Sequence, residues 1–288
     1  MDGMTAIVGP RQMKAIVRED YDAVGPLWEP WMGRYFRFPA ERLVADLRPR
    51  PGHRCLDIAC GSGVVARAFA AVVGPERVTA CDISPRQAAS AREILTASGL
   101  GAVRVHEMDA ERLAYPAASF DRIGCGFAIN HFPRPAAALR GAFRALAPGG
   151  RAGFSVWLPS PWPARIRVEE RLAELLPAPG EEDRRCNAAL DRAFTRNSRP
   201  DRLAALMERA GFVRVAVRRH AFMVDFADAS TLVDTVLARE ERALARAELD
   251  ARARAALRQE LMAVLADLDP RRYRVRRPYV TILGAKPA

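Results

Sequence analysis

Leu56-Asp57-Ile58-Ala59-Cys60-Gly61-Ser62-Gly63-Val64-Val65-Ala66 is the stretch whose reading decides the fold. Apolar residues run up to an acid, two glycines follow two apart, and then Val64, Val65, Ala68, Phe69 and Val72 recur at helical spacing. This predicts a strand, a tight glycine turn and a helix. Glycine tolerates positive φ and has no Cβ to keep a ligand off the backbone, while the helix start presents unpaired N–H groups across the turn. Gly61-x-Gly63-x-x-Ala66 fits the dinucleotide fingerprint, although a purely structural turn would use the same residues.

Working outward, strands and helices alternate at short spacing. Strands are expected at 54–58, 77–82, 103–107, 120–127 and 151–157, with helices at 64–73, 85–98 and 135–146 between them. Gly74-Pro75 and Gly99 stop the first two helices. Ser84-Pro85 supplies a cap followed by proline at the first helical position, and Pro148-Gly149-Gly150 reads as a turn. Repeated strand-then-helix units imply parallel strands, right-handed crossovers and helices on both faces. With strands at 212–218 and 279–284, the fold class is α/β: a doubly wound, mostly parallel seven-stranded Rossmann-like sheet with helical cap insertions.

In such a sheet ligands lie beyond the carboxyl ends of the strands. The residues there are Asp57 with its glycine turn, Asp82, Asp109-Ala110, and Gly126, Phe127, Asn130 and His131. Asp82 follows Asp57 by 25 residues, near the offset at which an acid accepts from ribose hydroxyls. Asp109 could accept from an adenine amino group. Several carboxylates around one nucleoside oppose a pyrophosphate and suit a cationic ligand.

The 288 residues suffice for a sizeable core, and 50% hydrophobic with 27% charged residues marks a globular protein. No run is apolar enough to span a membrane and the first residues lack a basic-then-apolar signal pattern, so the cytoplasm is the expected compartment. The net charge of +11 comes almost wholly from arginine, since only Lys14 and Lys286 are lysines. The arginines are interleaved with acids, which argues against a nucleic-acid partner. Cys55, Cys60, Cys81, Cys125 and Cys186 contain no C-x-x-C pair, so neither disulfides nor a metal site are expected.

The ordered series LDIACGSG, ACDIS, MDAERLAY, SFDRIGCGFAINHF and ALAPGG…FSVW resembles the motifs of class I S-adenosylmethionine-dependent methyltransferases. It is similar above all to their small-molecule branch (methyltransferase type 11) of the ubiquinone/menaquinone-biosynthesis kind. The resemblance covers about 21–157, and 199–222 with 279–286 more loosely. It implies S-adenosylmethionine as cofactor, with S-adenosylhomocysteine as product. Tyr21, Asp57, Ala59, Gly61 and Gly63 would shape the methionine and ribose pocket. Asp82 would bind the ribose, Ile83 and Gln87 would pack near adenine, Asp109 and Ala110 would meet its edge, and the backbone at Gly126–Phe127 would hold the methionine amine. Ala59 stands where many relatives have glycine.

Outside this core, 1–50 reads as a helical cap with helices at 12–23 and from Pro39 or Ala40 to 47, and dense aromatics (Tyr21, Trp28, Trp31, Tyr35, Phe36). Residues 51–157 form the cofactor-binding core, and 158–200 a proline-rich insertion or lid with one helix at 166–176. Residues 201–288 hold the rest of the sheet, with a helical insertion at 228–269. Within it, 239–258 alternates acids and arginines, as in a solvated helix pair; a cap or a homodimer face is the other reading.

Methyl transfer from a sulfonium is an in-line displacement that neutralises charge, so positioning dominates and a general base is optional. His131 is the candidate catalytic base, by its place on the rim and the ordinary titration of histidine near neutrality. His220 is a weaker candidate; His53 and His106 read as structural. The expected acceptor is a small aromatic or lipophilic metabolite, a quinone precursor or secondary metabolite, methylated on O, N or C. The Asn/Asp-Pro-Pro-aromatic segment of nucleic-acid N-methyltransferases is absent at 128–131, and Cys125 lies in an apolar strand, unlike a nucleophile. Competing readings are a protein of the same fold doing cyclisation or ligand sensing, and an NAD-dependent oxidoreductase.

Overall fold

The computed structural model of the chain describes residues 8–24, 29–226 and 228–288, without the side chains at 29–32, 34, 242, 246, 270 and 272. Two helices, α1 (Pro10–Val24) and α2 (Glu29–Leu47), lead in. The alternating segment follows as β1 (Cys55–Ile58), α3 (Val64–Val73), β2 (Val78–Asp82), α4 (Pro85–Ala97), β3 (Arg104–Glu107), β4 (Phe120–Gly126), α5 (Pro135–Ala145) and β5 (Leu146–Trp157). Then come α6 (Pro163–Leu175), α7 (Glu181–Asn197), α8 (Pro200–Arg209), β6 (Val213–Asp225), α9 (Ala229–Arg239), α10 (Glu241–Arg246), α11 (Ala251–Ala263) and β7 (Arg274–Ala285).

The seven strands lie in the order β3-β2-β1-β4-β5-β7-β6. Only β7 runs antiparallel to its neighbours. The winding direction reverses between β1 and β4, which opens the crevice where doubly wound sheets bind ligands. Every residue of β1 and β2 is buried, as parallel strands covered on both faces require. One face packs Leu139, Ala142, Leu203 and Met207 of α5 and α8. The other packs Leu43, Leu47, Phe69 and Leu95 of α2, α3 and α4. The N-terminal elements of the alternating segment match their predicted bounds closely: α3 begins and ends as expected, and Ser84 Oγ accepts from the Gln87 N–H as the α4 cap.

Several expectations are corrected. Pro39 does not start a helix; it lies inside α2. An interior proline forfeits one backbone hydrogen bond and crowds the preceding turn, at about 3 kcal/mol. Burial of Leu43, Val44 and Leu47 against the sheet offsets that cost. Pro148-Gly149-Gly150 is not a free turn but a bulge in β5, where the register against β4 jumps from Phe120↔Leu146 to Arg122↔Arg151. The 158–200 segment carries two helices, α6 and α7, not one: α7 shows only Cys186, Ala193 and Asn197 buried, too sparse an apolar stripe to signal itself. β6 runs on to Asp225, because its outer half pairs with β7 as far as Arg274. The 228–269 helices are not a solvated pair: Leu232, Val233, Val236, Leu257 and Leu261 join Trp162, Val168 and Leu172 of the α6 region in a third core. Arg254–Glu241 and Arg258–Asp234 ion pairs tie those helices together. Trp28 and the Trp31 side chain fall outside the described residues.

Candidate active site

A cavity opens at the switch, floored by the carboxyl ends of β1, β2 and β4 and roofed by α1 and the start of the buried part of α2. Tyr21, Asp57, Ala59, Gly61, Asp82, Ile83, Asp109, Ala110, Gly126, Phe127 and His131 all line it. Three expected residues do not. Asn130 is fully buried, and its Nδ2 donates to Ser198 Oγ at 3.2 Å. Gly63 (φ +80) caps α3 and packs its Cα against Leu95, where a Cβ would come within 3.3 Å of Cδ1. Gln87 is buried, and its Nε2 donates to the Tyr21 carbonyl at 3.3 Å, so it anchors α1 instead of touching the cavity.

The glycine turn is held from the neighbouring strand. Gly61 (φ +51) donates its N–H to Asp82 Oδ2 at 2.9 Å, and Ser84 donates its own to Asp82 Oδ1 at 2.9 Å. Burial keeps the Asp82 carboxyl above the usual range, and those backbone bonds pull against it. Asp57 accepts from the Ala66 N–H through Oδ2 at 2.9 Å, while its buried Oδ1 has no partner among the described residues. Burial drives its carboxyl well up, with Asp82 adding to the effect. Ala59 (φ +53) and Phe127 (φ +58), just past β1 and β4, occupy the left-handed region that favours glycine. Such strain costs of order 1 kcal/mol each and commonly marks ligand sites.

α1 is strapped across the cavity by contacts the sequence did not announce. Lys14 Nζ pairs with Asp109 Oδ2 at 2.6 Å and Glu111 Oε2 at 2.7 Å. Glu111, almost fully buried, also takes the Arg134 N–H. Ser84 Oγ donates to Asp22 Oδ1 at 2.5 Å. One signal for Lys14 was present: it is one of two lysines in a chain otherwise built on arginine. Lys286, the other, also acts as a point charge, capping the Phe143 and Leu146 carbonyls.

At the far end Tyr21 Oη lies 3.4 Å from His131 Nε2, and Phe194 of α7 packs edge-on to the imidazole at 5.0 Å. Burial pushes the tyrosine up to about 12, so its hydroxyl stays protonated and donates when Nε2 is the bare nitrogen. Burial, then the charge of Arg239, takes His131 down to about 4, leaving the imidazole neutral at physiological pH. Beside it Phe127 stacks on Trp157 at 4.0 Å, with Phe36 and Tyr35 against the pair. Among the other candidates, His220 Nε2 sits 3.2 Å from buried Asp46, His106 meets the Tyr115 hydroxyl at 3.0 Å, and His53 Nδ1 accepts from the Arg50 N–H. None of the three lines the cavity. Cys125 is buried in β4, where desolvation raises its thiol.

These residues fit a nucleoside that carries cations and no phosphate. Asp57 lines the cavity and its buried Oδ1 is unpartnered among the described residues, so a donor such as an ammonium would suit it. Two buried carboxylates with only N–H partners would repel a pyrophosphate.

Comparison with known proteins agrees. A family model described as a methyltransferase domain matches residues 55–150. The ubiquinone/menaquinone biosynthesis C-methyltransferase UbiE of Methylobacterium nodulans is 31% identical over 210 residues, 70% of this chain and 82% of its own. The nocamycin O-methyltransferase of Saccharothrix syringae is 38% identical over 144 residues, 49% of this chain and 51% of its own. The chain spans about half the length of the foremost curated relatives it matches. Among solved structures, YcgJ of Bacillus subtilis superposes with a TM-score of 0.54 at 18% identity, covering 87% of this chain and 99% of its own. The [4+2]-cyclase SpnF gives 0.52 at 19%, covering 94% and 96%. A glycine turn held by a buried aspartate at the switch of this sheet, with relatives of that kind, places the chain in the class I S-adenosylmethionine-dependent methyltransferases. Within them it belongs to the UbiE-like small-molecule branch, with S-adenosylmethionine as its cofactor. Among the described residues no helix is long and apolar enough to cross a membrane.

Proposed function

We propose that the chain methylates a small aromatic or lipophilic metabolite, a quinone precursor or secondary metabolite, held against the wall of Phe127, Trp157, Phe36 and Tyr35. The observation that carries this reading is the continuity of the cofactor cavity with that wall: Phe36 and Phe127 line the cavity and also pack into the aromatic cluster. Aromatic clusters of this kind bind flat apolar ligands.

S-adenosylmethionine, when bound, supplies an electrophilic methyl on a sulfonium. The chain's own residues position and enclose. Asp82 holds the ribose hydroxyls, Asp57 receives the amine, and the α1 strap excludes water, so that proximity provides most of the acceleration, about 7–11 kcal/mol at best. His131, neutral and hydrogen-bonded to Tyr21, is available to take a proton from an acidic O–H or N–H acceptor.

Isothermal titration with S-adenosylmethionine, S-adenosylhomocysteine and NAD, followed by transfer of radiolabelled methyl to a panel of hydroxylated aromatics, tests the proposal. Binding of the first two ligands, no heat with NAD and label in at least one acceptor are expected. Absence of heat with the first two removes the proposal. Cofactor binding with no label in any acceptor favours a cyclisation or sensing role on the same fold.

A further inference from the structure

A second cleft, of about 260 Å³, lies at the other end of α2 from the cofactor cavity and shares no lining residue with it. Phe36, Pro39 and Ala40 of α2 line the cofactor cavity, whereas Asp46 and the residue just past the helix, Arg48, line the cleft. Its floor is the uncovered end of the sheet, where β5 sets Arg151 against Ala285 of β7 and β7 in turn sets Leu283 against Ala216 of β6. Ala216 and Arg218 share a face of β6 by alternation, and at the bulge between Val213 and Ala216 the chain brings Arg214 to the same cleft.

Four guanidiniums therefore border the cleft, those of Arg48, Arg151, Arg214 and Arg218, against one carboxylate, Asp46. That carboxylate is already engaged. Arg218 Nη1 lies 2.6 Å from its Oδ1, with His220 at 3.2 Å and Arg42 at 3.9 Å. Among the described residues the other three arginine side chains make no hydrogen bond or ion pair. Elsewhere the chain pairs its arginines with acids, as at Arg54–Asp121, Arg165–Glu169 and Arg258–Asp234. A fifth guanidinium stands behind the cleft: Arg122 Nε donates to the Arg48 carbonyl at 3.3 Å, and burial, then the charge of Arg151, lowers its pKa. The backbone is strained at two of the four. Arg48 (φ +51) and Arg214 (φ +52) occupy the left-handed region that favours glycine, and strain of this kind collects at ligand clamps. The carboxyl end of α2 attracts a cation, which accounts for Arg48 and not for the other three.

We propose that this cleft is a binding site for a diphosphate group, carried by a ligand other than the cofactor and the methyl acceptor. Four guanidiniums less one carboxylate leave three positive charges. A phosphomonoester brings about −1.5 to −2 and a diphosphate more, so two linked phosphoryl groups balance the cleft where one does not. Several planar guanidiniums around one hollow match the many oxygens of such a group, which a single carboxylate lacks. The cleft lies at the amino ends of the parallel strands, away from the methyl, so the bound group takes no part in transfer.

The test is calorimetry on the full chain loaded with S-adenosylhomocysteine, with pyrophosphate, phosphate and sulfate as probes at equal ionic strength. Pyrophosphate should bind about tenfold or more tighter than either single anion. Adenosine diphosphate and an alkyl diphosphate, added in parallel, distinguish the sources: whichever binds tightest names the ligand class, and no gain over pyrophosphate assigns the site to the free anion. Arg214→Gln and Arg48→Gln should each weaken pyrophosphate by about tenfold or more. Arg199→Gln removes the same charge from a surface pair with Asp201 and should leave pyrophosphate affinity unchanged. All three should keep wild-type affinity for S-adenosylhomocysteine. No heat with pyrophosphate, equal affinity for pyrophosphate and sulfate, unchanged affinity in R214Q or R48Q, or a loss in R199Q as large as theirs overturns the proposal. Should one of the two cleft variants fail to fold, the other decides.

Discussion

Replacing Asp82 by asparagine probes the site where its physics is most exposed. The carboxylate presents two acceptors inward, to the Gly61 and Ser84 N–H groups at 2.9 Å each. Asparagine keeps one oxygen and turns an NH2 toward the other donor, a buried mismatch worth about 1–3 kcal/mol of stability. Toward the cofactor the loss is of charge as well. Hydrogen bonds from ribose hydroxyls to an ionised acceptor contribute about 1.5–3 kcal/mol, so affinity for S-adenosylhomocysteine should fall roughly 10- to 150-fold. The pH dependence has a definite sign. Burial holds the free-state carboxyl above the ordinary range, and the cofactor favours the ionised form. Wild-type affinity should therefore weaken as pH falls through that raised value, sooner than an exposed aspartate would allow, whereas D82N should show a shallower dependence, keeping only the part that comes from Asp57. Calorimetry at neutral and mildly acidic pH reads both effects. Equal affinity of D82N and wild type, or a wild-type affinity that grows on acidification, would refute the assignment.

Other outcomes follow from the same geometry. Gly124→Ala places a Cβ 3.0 Å from Val65 Cγ1 and 3.1 Å from Phe69 Cε2, so thermal denaturation should show a loss of about 1–3 kcal/mol from overpacking. His131→Asn should lower turnover, by about 10²–10⁴-fold if the imidazole is the base, with cofactor affinity intact; equal turnover returns it to a structural role. Because the folded-state pKa of His131 is about 4 against 6.5 unfolded, the unfolded chain binds a proton that the native one refuses. Wild-type stability should thus decline as pH drops from 6.5 toward 4, and H131N should decline less in acid melts. Lys14→Met removes the cation that Asp109 and buried Glu111 share, leaving Glu111 to Arg134 alone, so hydrogen exchange across 10–24 should quicken and S-adenosylhomocysteine bind less tightly; unchanged exchange would deny that Lys14 secures α1.

The alternating segment was legible because its determinants are local. Gly61 and Gly63 need positive φ, Ser84 caps what Pro85 begins, and β1 and β2 are mostly apolar and buried throughout since both faces are covered. Acids at the strand ends could be placed on one rim from topology alone, and all three reached the cavity. What escaped depends on distant partners. Pro39 continues α2 only because the sheet lies beneath it, and α7 has too few buried side chains to show a period. Gln87 sits one turn into α4, beside the rim, but its amide finds the Tyr21 carbonyl 66 residues away. Lys14 and Glu111 meet across 97 residues.

A crystal structure of the chain with S-adenosylhomocysteine bound bears most directly on the central claim. The ribose hydroxyls should lie within hydrogen-bond distance of Asp82, the amine beside Asp57, and the sulfur toward the chamber lined by Tyr21 and His131. A nucleoside bound away from Asp82, or a sulfur facing away from that chamber, would contradict it.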